Sequence, residues 1–233
     1  MPDFLSRCPI CGAPAFRSRV ICRDCSSQLD SECFDSFIDR CPVCFYPRVA
    51  SLYRCRRCNG KEGSVPRIFP VARYDGKLSY AVIDGLKFRS QRKLSAVVAL
   101  YLRRALDVLD PLGDALIVPV PCSASRLEHF GFDHMTDVCL ALGREFLPLI
   151  VNRSAGGVPS VQQKKLDREH RIEGSEGKFM LNNEIAGMEA LKSRPVIVVD
   201  DIVTTMSTMN AAISLLKDEG FGDVSGASWL AEL

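Results

Sequence analysis

Two adjacent carboxylates, Asp200 and Asp201, follow an apolar run in the stretch VIVVDDIVTTMSTMNAA, Val196 to Ala212. An apolar run of this length reads as a buried strand, so the acids emerge at its carboxyl end. Adjacent carboxylates in that position can accept hydrogen bonds from vicinal hydroxyls, such as a ribose 2′- and 3′-OH, or help to hold a divalent cation. Behind them, Thr204, Thr205, Met206, Ser207 and Thr208 offer four hydroxyls and successive backbone N–H groups. Helical spacing starts at once, because Met209, Ala212, Ile213 and Leu216 recur at i, i+3, i+4 and i+7. A helix N-terminus with free N–H groups attracts anions, phosphate above all. Diol-binding acids beside such a cradle describe a ribose 5-phosphate site. Two plainer readings share the pattern: a strand–turn–helix with a Ser or Thr N-cap, and the acid pair that opens a loop in receiver-type signalling domains.

The cysteines form a second chemical constellation. Nine of the eleven precede residue 59. Cys8, Cys11, Cys22 and Cys25 follow the pattern C-x2-C-x10-C-x2-C, and Cys41, Cys44, Cys55 and Cys58 repeat it 33 positions later. A C-x2-C knuckle turns tightly enough to aim two thiolates at one tetrahedral ion, and two knuckles close a four-cysteine structural zinc site. Two zinc ions are expected. The favoured pairing is one ion per segment, because ten residues suffice for a short hairpin; the alternative is a cross-braced pair of sites. So short a segment buries little apolar surface, so the metal supplies much of its folding energy. Cys33, between the units, is expected to be a buried thiol.

These sites need elements to position them. NGKEGSVP, Asn59 to Pro66, reads as a linker, which divides the chain into a cysteine-rich part, 1–64, and a larger part, 65–233. Beyond it, RIFPVARYD looks extended and KLSYAVIDGLKF helical. RKLSAVVALYLRRALDVL is a longer helix, ALIVPVP a strand, FDHMTDVCLALGREFL a helix, PVIVVDD a strand, TMNAAISLLKDEG a helix and VSGASWLAEL a strand. Apolar strands alternating with helices predict an α/β fold with a mainly parallel sheet. Ligands in such sheets sit beyond the carboxyl ends of the strands, which selects the Asp200-Asp201 turn and the turn PVPCSASR, Pro119 to Arg126.

Composition sets outer limits. Hydrophobic residues make up 47 % and charged residues 25 %, with a net charge of +2, as in ordinary globular proteins. No apolar run approaches the roughly 20 residues that span a bilayer. The N-terminal stretch MPDFLSRCPICG lacks the apolar core of a secretory signal, so a cytoplasmic, reducing location is expected, with the cysteines as thiols or ligands. Residues 65–110 carry nine Lys/Arg against four Asp/Glu, and residues 1–64 carry ten against seven. That mildly basic surface makes single-stranded DNA a candidate partner, alongside a plain solvated face.

VIVVDDIVTTMST resembles the phosphoribosyl-pyrophosphate (PRPP) signature of type I phosphoribosyltransferases: apolar strand, two acids, two apolar residues, then a Thr/Ser-rich loop with glycine near its centre. The wider layout resembles the ComF family (ComFC and GntX-like proteins), which joins an N-terminal cysteine-knuckle zinc domain to a phosphoribosyltransferase-like domain. Tyr74-Asp75-Gly76 with IDGLKF and Lys87, the VPVPCSASR turn, GFDH (Gly131 to His134), and Gln163, Leu166, Arg171 and Phe179 are similar to further family segments in the same order. The chain departs from the pattern at Phe130, Asp133 and Gly174, and at Met206, which replaces the loop glycine. Glycine there lets backbone approach a phosphate or take a positive φ; a methionine can point away from the ligand if its φ is negative.

The resemblance implies a type I phosphoribosyltransferase-like domain behind a double zinc ribbon, binding PRPP or a similar ribose 5-phosphate with Mg2+. Asp200 and Asp201 would hold the ribose hydroxyls directly or through Mg2+, and Thr204, Thr205, Met206, Ser207 and Thr208 the 5-phosphate. Arg126, Lys87 and Arg171 are candidates for the pyrophosphate, and His134 for a ligand contact. The acceptor is open. Family membership implies a link to DNA uptake, competence or DNA handling, with protein partners reaching the zinc ribbons. The alternative is a module that keeps the fold without turnover and senses a ligand or binds single-stranded nucleic acid.

Overall fold

The computed structural model describes residues 5–16, 19–34, 40–48, 55, 57–60, 62–63, 65–153 and 178–232. Four strands form its central sheet: β3 (Ile68–Arg73), β4 (Leu116–Pro119), β7 (Val196–Val203) and β8 (Val224–Ala231). They run in the order β3-β8-β7-β4, every neighbour parallel. All eight residues of β8, and seven of the eight in β7, are buried. Burial on both faces is why these strands read as continuous apolar runs rather than alternating ones. Helices cover both sides, so the expected α/β class with a mainly parallel sheet is what the chain adopts.

The period of two along a strand sorts the core into two layers. Ile197 and Val199 of β7 join Ile117, Ala227 and Trp229 against helices α2 (Lys77–Phe88), α3 (Ser95–Leu109) and α5 (His134–Leu142). Val196 and Val198 join Leu116, Val118 and Val224 against Met209, Ala212, Ile213 and Leu216 of α7 (Ser207–Asp218). The four residues of α7 are those its sequence spacing selects. The long helix expected from Arg92 begins as a single 3-10 turn, Arg92–Leu94, before α3. The helix expected over 132–147 is shorter: α5 stops at Leu142 because Gly143 takes φ 66° and caps it in the left-handed conformation. Beyond that cap, Phe146 bridges Ile117 alongside β4.

Among the described residues, three helices lie outside the sequence expectation: α1 (Arg23–Glu32), α4 (Ala124–Phe130) and the short α6 (Met188–Leu191). There are also, among the described residues, two small antiparallel pairs, β1 (Leu5–Arg7) with β2 (Pro14–Phe16), and β5 (Ile150–Asn152) with β6 (Phe179–Leu181).

The cysteine-rich part packs along the β3 edge. Leu29 of α1 is fully buried in the same core as Val71, Tyr101 and Leu102. Cys33 bridges Ala72, and Phe34 N–H donates to Val71 O at 2.9 Å. The Arg40 guanidinium lies over the Phe69 ring, 3.7 Å from its centroid, and donates to Pro70 O at 2.7 Å. Further along, Ile68 N–H donates to Cys44 O at 3.0 Å, and the Tyr46 hydroxyl donates to Glu232 O at 2.8 Å. Among the described residues no helix is long and apolar enough to cross a membrane.

Candidate functional site

Asp200 and Asp201 sit at the carboxyl end of β7, buried, and strand alternation sends them to opposite faces of the sheet. Asp200 continues the Val196–Val198 row. It lines a small open concavity with Ile202, Val203, Thr204, Thr205, Met206, Ser207, Thr208 and Met209. Asp201 continues the Ile197–Val199 row and meets Lys87 and His134 on the α2/α5 side. Lys87 Nζ and His134 Nε2 each lie 2.5 Å from Asp201 Oδ2. An ionised carboxylate only accepts, so Nε2 carries a proton toward it.

The two acids differ electrostatically for the same reason. Burial and the neighbouring Asp201 charge push the Asp200 carboxyl well above its usual range. Burial alone would raise Asp201 too, but its hydrogen bond with His134 and the Lys87 ammonium outweigh it and hold that carboxyl well below the usual carboxylate range. The two neighbouring acids are therefore pushed in opposite directions, Asp200 toward its protonated form and Asp201 toward its ionised one. Asp200 Oδ1 accepts the Asp201 N–H at 2.8 Å.

The loop holds a further surprise at Met206. Its φ is 64° and ψ −2°, the left-handed conformation, and it occupies the N-cap of α7. A methionine pointing away through a negative φ is thus not what occurs. The backbone has the shape a glycine would take freely, and a half-buried methionine side chain is carried in it against the α7 core layer. Lys178 stands at the rim, its Nζ 3.1 Å from Thr208 Oγ1, and its charge reaches Asp200. No spacing signal marked it in the sequence.

The turn after β4 is tied to α5, beside the Asp201 end of the site. Asp133 caps α5 through Met135 N–H at 2.8 Å and also accepts the Cys122 N–H at 3.3 Å, which ties the turn to α5 and aims His134 at Asp201. Asn152 Nδ2 donates to Cys122 O at 2.6 Å from the other side. Burial and the Asp133 charge push the Cys122 thiol up, while Arg126 and Lys87 oppose them, which puts Cys122 amid the charged groups of the site. The Arg126 guanidinium, on α4, stacks over the exposed Phe88 ring at 5.0 Å from its centroid. Of the sequence candidates, Lys87, Asp201 and His134 converge directly; Asp200 and residues 204–208 form the adjoining concavity; Arg126 flanks the turn. Arg171, with Gln163, Leu166 and Gly174, lies outside the described residues.

The eight cysteines pair within segments, not across them. Cys8, Cys11, Cys22 and Cys25 bring four sulphurs within 4.8 Å of one another, and Cys41, Cys44, Cys55 and Cys58 do the same. Contacts of 3.6 Å for Cys11–Cys22, 3.4 Å for Cys41–Cys58 and 3.7 Å for Cys44–Cys55 approach the ~3.8 Å edge of a tetrahedral zinc–thiolate centre. Within the second set, burial and the Cys55 sulphur push Cys44 up to about 12. Burial acts on Cys41 too, but backbone N–H groups of Cys44 and Val43 bring it down to about 7. Four thiols at one point resist ionising together without a cation, so each donor set fits one zinc ion.

No family model and no curated protein matches the sequence. Among solved structures the chain is similar to one described as the crystal structure of adenine phosphoribosyltransferase, at 19 % identity and a TM-score of 0.37, covering 65 % of this chain and 75 % of that one.

Proposed function

We propose that this chain is a phosphoribosyltransferase-like protein that binds PRPP, with its 5-phosphate at residues 204–208 and its pyrophosphate toward the turn at 119–126. The observation that carries the reading is the conformation at Met206. A strand that ends in two acids leads into a loop held in a glycine-like, left-handed turn at the start of a helix, around a concavity floored by Asp200. That turn presents successive N–H groups, as a bound phosphate monoester requires.

Transfer would break the bond between ribose C1′ and the pyrophosphate oxygen while the lone pair of an acceptor forms the new bond at C1′. The leaving group takes the electron pair, so cations must meet it. Arg126 and Lys87 are the described candidates, and Lys87 would leave Asp201 to do so. Asp200 offers a carboxylate suited to a Mg2+–PRPP complex, in which the ion would neutralise leaving-group charge. Titration calorimetry of the purified protein with PRPP and Mg2+ tests the reading: saturable binding that Asp200→Asn weakens supports it, and no heat at millimolar PRPP ends it.

A second reading has its own observation. Asp201 is engaged internally by the Lys87 ammonium and the His134 ring, an arrangement that suits a module binding a ligand, or single-stranded nucleic acid, without turnover. PRPP binding without pyrophosphate release in the presence of candidate acceptors would favour it.

A further inference from the structure

Helix α2 lacks a cap of its own. Its N-cap residue, Gly76, has no side chain to offer, and the first turn bears no acid. The missing acceptor comes from the cysteine-rich part. Glu32, the last residue of α1, is buried, and its two oxygens accept Leu78 N–H at 3.0 and 3.1 Å and Ser79 N–H at 2.7 Å. A carboxylate at a helix N-terminus gains from both the hydrogen bonds and the dipole. Burial would raise the Glu32 carboxyl, but these N–H groups outweigh it and hold it below its usual range. A Cβ at Gly76 would stand 2.3 Å from Ser79 Oγ and 2.7 Å from Glu32 Oε2, so this close packing requires glycine.

The two ends of this contact lead to two different centres. Helix α1 starts at the first cysteine set, with Cys22 as its N-cap, accepting from Cys25 N–H, and Cys25 in its first turn. The last turn of α2 carries Lys87, whose Nζ meets Asp201. Nine residues of helix, about 14 Å, separate Leu78 from Lys87, so a small tilt at the first turn displaces the ammonium. Trp229 Nε1–H holds the same turn from the sheet side through Ser79 O at 3.1 Å. The Ser79 hydroxyl also donates to Arg73 O at 3.3 Å, so without Glu32 the turn is held at Ser79 and pivots there.

We propose that Glu32 is a positioning residue for the candidate site: by capping α2 from α1 it fixes where Lys87 meets Asp201, and so ties the first cysteine centre to ligand binding. The inference rests on the reading of the Lys87–Asp201 end as part of a PRPP site, and its test separates the two. The full-length, zinc-loaded protein is compared with Glu32→Gln, with Gly76→Ala, which crowds both Glu32 and the Ser79 hydroxyl while leaving Glu32 a carboxylate, and with Arg144→Gln. The last removes the Arg144–Asp110 ion pair beside the amino end of β4 and serves as a control for lost stability elsewhere.

Two readouts are taken, PRPP affinity in the presence of Mg2+ and the 1H–15N signal of the Lys87 ammonium, assigned by its loss in Lys87→Met. Glu32→Gln and Gly76→Ala should each weaken PRPP binding at least fivefold and shift or broaden the Lys87 signal, whereas Arg144→Gln should change neither. Should one of the pair fail to fold, the other decides. Parental affinity with an unmoved Lys87 signal overturns the proposal, as does lost affinity with an unmoved signal. If the parent itself binds no PRPP, the site reading fails, and the Lys87 signal still decides the role of Glu32.

Discussion

Met206→Gly should behave opposite to an ordinary glycine substitution. At most positions replacing a side chain by glycine costs stability, about 1 kcal/mol relative to alanine in a helix. Met206, however, sits at φ 64°, where an L-residue bears a strain of about 1–2 kcal/mol. Glycine relieves that strain and adds about 0.5–1 kcal/mol of chain entropy to the unfolded state. It also gives up the packing of a half-buried side chain, about 1 kcal/mol. The sum is close to zero, so Met206→Gly should match the parent within about 1 kcal/mol. Met206→Ala keeps the Cβ and its strain but loses the packing, and should be about 1 kcal/mol less stable. Met206→Val adds a β-branch in the left-handed region and should be lower again. Urea unfolding of the series measures this, and thermal unfolding should space neighbouring variants by about 2–4 °C per kcal/mol. The diagnostic is the order glycine above alanine. Alanine equal to or above glycine would refute the strain argument, and with it the reading of this loop as a retained glycine turn. Because the backbone already has the glycine shape, PRPP affinity should change less than tenfold, about 1.4 kcal/mol, on Met206→Gly.

Other outcomes follow from the same geometry. Elemental analysis of purified protein should find two zinc ions per chain, and Cys22→Ser should release one; because Cys22 launches α1, whose Leu29 lies in the main core, that variant should also lower the unfolding temperature of the α/β part. Asp201→Asn should destabilise by about 3 kcal/mol, because it leaves the Lys87 ammonium buried beside a neutral amide. With its folded carboxyl depressed, Asp201 contributes stability above the unfolded range near pH 4 that is lost as pH falls; acid unfolding of Asp201→Asn should be correspondingly shallower between about pH 4 and 2. Asp200 has the opposite sign: its raised carboxyl favours folding while protonated and loses that contribution as pH rises through its folded value. Asp200→Asn should therefore gain stability on the parent as pH rises, while losing PRPP affinity by about 1.5–3 kcal/mol. Binding to single-stranded DNA, measured by anisotropy, should fall steeply with salt; an affinity unchanged by salt would exclude the basic surface as its cause.

The sequence was most legible where one physical rule dominated. Eight cysteines at one repeated spacing disclosed both four-thiol sets, and α7 and the central strands followed from apolar periodicity. Helix α1 escaped because RDCSSQLDSE has few apolar residues; its inward face is Cys25 and Leu29 with the capping carboxylate Glu32. Helix α4 buries no residue and left no apolar stripe to read. The division of labour between Asp200 and Asp201 was available from alternation alone, since neighbours on a strand face opposite ways. Its chemical consequence was not, because Lys87 and His134 reach Asp201 from helices 114 and 67 residues away in the chain. The same holds for the left-handed turn at Met206, which composition hides and the resemblance to a glycine-bearing loop merely suggested.

The order of the sheet bears on how the chain is made. Strand β8, last of the four in sequence, lies between β3 and β7, so during synthesis β3 emerges with no sheet neighbour until about 150 more residues have followed. An apolar strand left in that state invites pairing with another chain. The cysteine-rich part is made before β3 and bonds along it at Cys33, Phe34, Arg40 and Cys44. It is therefore in place to chaperone that strand internally, keeping one border occupied while the ribosome delivers the segment that will fill the other. On this view metal starvation would be felt first in newly made protein, as aggregation at birth, while molecules already folded persist.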